Sequence, residues 1–393
     1  MSKLKGSAMK EIMRVEELEE NKEELKEVVE DVKPVIILAA LVAVVLLFIF
    51  FLRLYIRWGV ECPSKNRLDG KTVIITGANT GVGKATAIEL AKRGARLILA
   101  CRDRIKGEAV ARIVKKKSGN QNVFAGRLDL ASMRSIKEFV EEFNQNEAQL
   151  HILINNAGYM GPKAATDDGY ERCFGVNYLG HFYLTMLLME KLRKCAPSRI
   201  VNVCSDAYSR GKLDFSDLAM LKGYDSFSAY ARSKLCQVIF NLELQRHFFS
   251  ACVWSFAAHP GACNTELLRN FPGMHGKVLR AMARVLFKSP EEGCQTIVYC
   301  AVADGLRDFS GKLFANCKVV KLQDVAREKE TGTKLWNTSL TLTGMDREYA
   351  LYPEEGEGSA PAENGSQAIG TEGGEEGDTT GPEKRPAAAA QQS

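Results

Sequence analysis

The sequence predicts an α/β fold: one doubly wound domain on a parallel sheet, with a transmembrane helix before it and a disordered tail after it. Three observations predict this. Six short runs rich in β-branched and apolar residues alternate with helix-period stretches between residues 72 and 303. The runs are apolar along their length, as strands covered on both faces are. Ahead of them lies Val35–Leu52, VIILAALVAVVLLFIFFL, eighteen residues without a charge. Behind them, residues 353–393 are rich in Gly, Glu, Pro, Ala and Ser with almost no large apolar side chains, a composition that buries too little surface to order itself.

Taken in order, residues 1–34 hold ten acids and seven bases. Within 9–33, Ile12, Val15, Leu18, Leu25 and Val29 form a broken apolar stripe, which predicts an acidic amphipathic helix standing in solvent. The uncharged stretch is long enough to cross a bilayer, and the predicted anchor is residues 35–57. Tyr55 and Trp58 suit the interfacial belt, and Arg53 and Arg57 can snorkel. The stretch starts late and lacks a small-x-small cleavage site, unlike a signal peptide. Upstream of it stand three nearby bases (Lys22, Lys26, Lys33); downstream stand five (Arg53, Arg57, Lys65, Arg67, Lys71). The bias predicts a single-pass protein with its large C-terminal body in the cytosol; the endoplasmic reticulum is the expected membrane.

Net charge is +5 overall, but residues 35–352 carry +15 between acidic ends of −3 and −7. A basic body suits an anionic membrane leaflet or a phosphorylated cofactor. No basic stripe interleaved with aromatics and no DNA-binding motif is present, so nucleic acid is not an expected partner. Eleven cysteines show no C-x-x-C pair and no metal-type spacing. They read as small buried apolar residues of a reducing compartment, with no structural metal.

The predicted strands are Thr72–Thr76, Arg96–Cys101, Val123–Leu128, Ile152–Asn155, Ile200–Ser205 and Cys252–Ala258. The predicted helices are 82–93, 104–117, 132–147, 170–194, 227–249 and 290–303. Ligands of such a sheet bind beyond the carboxyl ends of its strands. At the first such end stands Thr76-Gly77-Ala78-Asn79-Thr80-Gly81-Val82-Gly83. Its glycines allow a tight turn and bring backbone N–H groups to a pyrophosphate at a helix N-terminus. The second strand ends Ala100-Cys101-Arg102-Asp103. Arg102 suits the 2′-phosphate of NADP, and Asp103 directly after it leaves NAD open.

Tyrosine stands four residues before lysine three times: Tyr159/Lys163, Tyr208/Lys212 and Tyr230/Lys234. The spacing places both side chains on one helix face only where a helix exists. Gly161-Pro162 and Gly211 interrupt the first two pairs, which read as loops. Tyr230 and Lys234 sit within a helical pattern running from Phe227 to Phe249.

Thr76–Gly83, Asn155-Asn156-Ala157-Gly158, Asn177, Ser205 and Tyr230-x-x-x-Lys234 together resemble the motif set of the short-chain dehydrogenase/reductase family, in its order and spacing. ACRD at 100–103, HILINNAG at 151–158, GVNYLGHF at 175–182 and HPG at 259–261 are similar to its membrane-anchored retinol dehydrogenase-like branch. The resemblance implies a single Rossmann-type domain over residues 68–345. It implies a hydride transfer in which Tyr230 exchanges a proton with the substrate oxygen. Lys234 would stabilise the phenolate and hold the nicotinamide ribose, Ser205 would orient the oxygen, and Asn177 would anchor a water linking Lys234 to solvent. Cys204 replaces a serine common in the family, with its side chain expected on the far side of the strand. The implied cofactor contacts are Thr76, Gly77, Asn79, Gly81, Val82, Gly83, Arg102, Asp129 at the adenine, Asn155 beneath the adenosine ribose, Ala157, Gly158, Pro260, Gly261 and Thr265, beside Tyr230 and Lys234.

The substrate is expected under residues 206–228 and the flap after His259-Pro260-Gly261. There Lys277–Lys288 reads either as a packed lid helix or as a basic, membrane-touching entrance. Anchor, apolar lid and basic body point to a lipophilic substrate, with NADP(H) and the retinal/retinol pair foremost. The other readings are a sterol, fatty aldehyde or polyprenal, or a tethered interaction protein that binds cofactor without turnover.

Overall fold

The computed structural model describes residues 2–57, 61–220, 222–263, 283 and 286–345. It opens with one unbroken helix, α1 (Ser2–Arg57), in which the acidic segment and the apolar stretch run on through Pro34. The expected division at residue 34 is therefore a change of composition and not an end of helix. Val29–Tyr55 is long and apolar enough to cross a membrane.

The sheet order is β3-β2-β1-β4-β5-β6-β7-β8. Its strands are β1 (Thr72–Thr76), β2 (Arg96–Cys101), β3 (Val123–Arg127), β4 (Ile152–Asn155), β5 (Ser198–Val203), β6 (Val253–His259), β7 (Leu313–Ala315) and β8 (Lys318–Val320). All neighbours pair in parallel except β7 with β8. The order reverses between β1 and β4, and that switch point is where an open α/β sheet leaves a crevice.

The helices divide by face. On one side α2 (Gly81–Lys92), α3 (Arg104–Ser118) and α8 (Pro290–Val302) pack onto Val73, Ile75, Leu97 and Leu99. On the other, α4 (Met133–Asn146), α6 (Gly180–Lys194), α7 (Ser226–Phe248) and α9 (Lys329–Thr343) cover Ile74, Ile98, Leu153 and Ile200. The alternation of Val73, Ile74 and Ile75 between the two cores is the period-two pleat of a strand buried on both sides. Short α5 (Arg172–Phe174) leads through a π-helical turn, Gly175–Leu179, into α6.

The six expected strands and six expected domain helices are present, with end shifts. The fifth strand begins at Ser198 and stops at Val203; Cys204 N still donates to Ala258 O of the next strand at 3.0 Å, and Ser205 leaves the ladder to cap the 3₁₀ turn Asp206–Arg210. Sequence patterning missed β7, β8 and α9. Two are three-residue strands, too short for a period. Helix α9 is rich in threonine and contains Gly332, a weak helix former by propensity. It folds because Trp336 inserts among Phe182 and Phe240, with ring centroids 5.3 and 6.2 Å away, so tertiary packing overrides local preference.

Candidate active site

The site forms where the carboxyl ends of β1, β4, β5 and β6 meet the start of α2. A cavity of about 380 Å³ lies there. Gly77 and Gly81 turn with φ of +64° and +52°, which L side chains rarely adopt. A Cβ on Gly77 would stand 2.8 Å from Ala157 Cα, and one on Gly83 would stand 2.6 Å from Gly77 O. Only glycine lets the turn, the start of α2 and the Asn156–Gly158 segment close up. Thr80 is the N-cap of α2 but its side chain makes no capping bond. The first N–H groups of α2 are thus left without a side-chain acceptor where Gly81, Val82 and Gly83 line the cavity, a ready site for an anion. Asn79, Ala157, Gly158, Pro260 and Gly261 also line it. This cradle fits the pyrophosphate of a dinucleotide.

Ser205, Tyr230 and Lys234 all line the same cavity as the cradle. Of the other two tyrosine–lysine pairs only Tyr159 lines the cavity, without Lys163, and its hydroxyl donates to Pro162 O at 3.1 Å, while Tyr208 accepts from Gln323 N at 3.1 Å. Helix α7 starts behind Asp225, which accepts from Ser228 N at 2.7 Å, and carries Tyr230 and Lys234 one turn apart. The Lys234 ammonium donates to Val203 O at 2.8 Å and to Gln237 Oε1 at 2.8 Å. Burial lowers Lys234 to about 8. The Tyr230 phenol is pushed up to about 12, chiefly by burial and against a smaller lowering by the Ser205 hydroxyl. A lowered phenol was the expectation from sequence. Burial dominates instead, and the Lys234 Nζ lies 5.8 Å from the ring centroid, turned toward Val203 O at the end of β5.

Several predicted contacts lie outside the cavity. Thr76 is fully buried and acts as a strut: its hydroxyl accepts from Asn156 N and Ala157 N, both at 2.9 Å, and meets His181 Nε2 at 2.8 Å. Asn155, expected beneath a ribose, points its amide into the core, donating to Thr185 Oγ1 at 3.0 Å and Asn202 Oδ1 at 2.9 Å. Asn177, expected to anchor a water, uses its side chain to accept from Tyr159 N at 2.6 Å and to donate to Tyr159 O at 2.9 Å and Ser233 Oγ at 2.8 Å. It ties α7 to the loop under the cavity. Asp129 accepts from Ala131 N at 3.0 Å, closing a local turn. Arg102 is exposed at the end of β2. Asp103 beside it caps α3, accepting from Lys106 N at 3.1 Å, and pairs with Lys106 Nζ at 3.1 Å. Thr265 and eight of the twelve residues 277–288 lie outside the described residues.

Three features escaped the sequence reading. His181 is a fully buried imidazole between the end of β1 and the π-turn. Glu171 and Arg232 form a buried ion pair at 3.1 Å joining α5 to α7. His259 Nε2 meets Asp206 Oδ2 at 3.1 Å across the ends of β6 and β5. None follows a short motif; each exists because distant elements meet. Among the described residues no group of three or more metal-ligating side chains converges.

The short chain dehydrogenase family model matches residues 71–274. Retinol dehydrogenase 12 of Homo sapiens is 45% identical over 298 residues, covering 75% of this chain and 92% of that protein. Dehydrogenase/reductase SDR family member 13 of Homo sapiens is 41% identical over 297 residues, covering 75% and 78%. A crystal structure of an uncharacterized protein from Mycobacterium paratuberculosis superposes with a TM-score of 0.59 at 32% identity, covering 73% of this chain and 98% of that one. The matched stretch contains the whole glycine turn and the Ser205, Tyr230 and Lys234 constellation, so common descent accounts for both fold and site. The chain belongs to the short-chain dehydrogenase family and is one of its oxidoreductases.

Proposed function

We propose that this chain is an NADP(H)-dependent oxidoreductase of lipophilic carbonyls and alcohols, with retinal and retinol as its substrate pair. Residues 35–57 anchor it in the endoplasmic reticulum membrane as a single pass, and residues 68–345 form its cytosolic catalytic domain. The observation that carries the reading is one cavity lined both by an uncapped helix N-terminus and by Ser205, Tyr230 and Lys234. The similarity to a retinol dehydrogenase and the apolar lining by Met160, Cys263 and Phe287 support a retinoid.

When bound, the nicotinamide ring supplies or accepts the hydride. The backbone N–H groups of Gly81, Val82 and Gly83 hold the pyrophosphate. The exposed guanidinium of Arg102 takes the 2′-phosphate, Asp103 being engaged at the α3 cap. Asp129 and Thr265 serve the adenine and nicotinamide ends. Ser205 hydrogen-bonds the reacting oxygen. Tyr230 delivers its phenolic proton to that oxygen in reduction and withdraws it in oxidation, beside the Lys234 charge. A phenol held near 12 by burial is protonated at neutral pH, the form that reduction needs; the direction proposed, retinal to retinol, follows from NADPH as the cofactor. Asn177 contributes by fixing the Tyr159 backbone against α7.

The detergent-solubilised protein, given NADPH and all-trans-retinal, should form retinol on chromatography, and Tyr230→Phe should abolish it. NADPH binding without retinol formation would refute the retinoid assignment and direct the search to other lipid carbonyls.

A further inference from the structure

Lysine has three ammonium hydrogens and no acceptor. In Lys234 two of them have fixed directions, toward Val203 O and Gln237 Oε1, both at 2.8 Å. Since Lys234 also lines the cavity, the third is left for the ligand side. Gln237 is the one side chain among the described residues that accepts from Lys234. It stands one turn further along the same face of α7, is fully buried, and its Nε2 reaches Asn155 O at 3.5 Å. That contact links the amide to the end of β4.

We infer that Gln237 is a positioning residue: its carboxamide oxygen keeps the Lys234 ammonium charged and aimed into the cavity while adding no charge of its own. The inference rests on the reading of Lys234 as the cation that serves cofactor and phenol. A buried ammonium needs acceptors to remain charged. Among the described residues the titratable groups around Lys234 provide no counter-ion. On α7 it faces Tyr230, beyond β5 Cys204, on α5 Cys173 and on α6 His181. Burial pushes Tyr230, Cys204 and Cys173 up to about 12, so the phenol and thiols are neutral, and lowers His181 to about 3, so it too is neutral. The Val203 carbonyl and the Gln237 amide therefore do what a carboxylate does in an ion pair. A carboxylate at 237 would cancel the positive field that Tyr230 and a ribose are meant to feel. A neutral acceptor leaves the field intact.

The test is NADPH binding by the full-length, detergent-solubilised protein, followed by nucleotide fluorescence from pH 6 to 10, which requires no substrate. Wild type should lose affinity through a limb near pH 8, where Lys234 gives up its proton. Gln237→Met removes the acceptor at similar volume and should move that limb down by about one pH unit or more, since a hydrogen bond to a charged group is lost. Gln237→Glu should move it up, because an adjacent carboxylate favours the ammonium. If Gln237→Met fails to fold, the direction of the Gln237→Glu shift decides. Limbs that coincide in wild type and variants, with NADPH bound throughout, overturn the role of Gln237. A wild type that binds no NADPH at any pH overturns the cofactor reading itself.

Discussion

Acid should destabilise this domain through His181, and the size of the effect follows from its surroundings. The imidazole is fully buried, and burial lowers it to about 3, with the Lys234 charge adding to the effect and the Asn177 carbonyl opposing it. Its Nδ1 lies 3.0 Å from Asn177 O, which can only accept, so Nδ1 carries the hydrogen. Nε2 is then the acceptor of the Thr76 hydroxyl at 2.8 Å. A second proton would break that bond and place an unpaired charge in the core. The unfolded chain protonates near the ordinary histidine value of about 6.5, well before the folded one. Stability from this residue is therefore complete above about pH 6.5 and is lost as pH falls toward 3. Between pH 7.5 and 5 the loss is about 2 kcal/mol. Replacing His181 by leucine removes the titration but also the hydrogen bond to Thr76, whose hydroxyl can turn to Ile154 O at 3.4 Å; that exchange costs about 1 kcal/mol. Urea unfolding at both pH values should find His181→Leu less stable than wild type by about 1 kcal/mol at pH 7.5 and more stable by a similar amount at pH 5. His151, also lowered by burial, titrates in both proteins and drops out of the difference. Parallel loss of stability in the two proteins would refute the argument.

Two further outcomes follow from the site and its frame. Arg102→Ala should weaken NADPH binding about tenfold or more while leaving NADH binding nearly unchanged, since a charge-assisted contact to the 2′-phosphate is worth about 1.5–3 kcal/mol; equal weakening of both nucleotides in a titration would remove the case for NADP. Glu171→Ala should destabilise the domain by about 3–5 kcal/mol, because it strands the buried Arg232 guanidinium and deprives Cys173 N and Phe174 N of their acceptor. Glu171→Gln keeps an oxygen acceptor for only one of those two amides, which Glu171 holds with separate oxygens, and should fall between; equal melting temperatures for Ala, Gln and wild type would contradict the burial of the pair.

The sequence by itself determined the features whose signals are local. Apolar β-branched runs alternating with helical periods suffice for the parallel sheet, because a strand covered on both faces has no polar positions to break its run. The glycines of residues 77–83 are legible because a sharp turn with positive φ tolerates little else. Tyr230 and Lys234 were separable from two decoy pairs because glycine and proline interrupt the others. Tertiary structure decided everything that depends on which way a polar side chain faces. Asn155 and Asn177 stand where the family motif puts them, yet neither lines the cavity, their amides being engaged with Thr185, Asn202, Tyr159 and Ser233. Gln237, His181 and the Glu171–Arg232 pair acquire their meaning only when α5, α6 and α7 close over the sheet. Helix α9 forms only because the aromatic core accepts Trp336. A side chain's type is written in the chain, but its partner is chosen by residues tens of positions away, and for buried polar groups the partner settles the role.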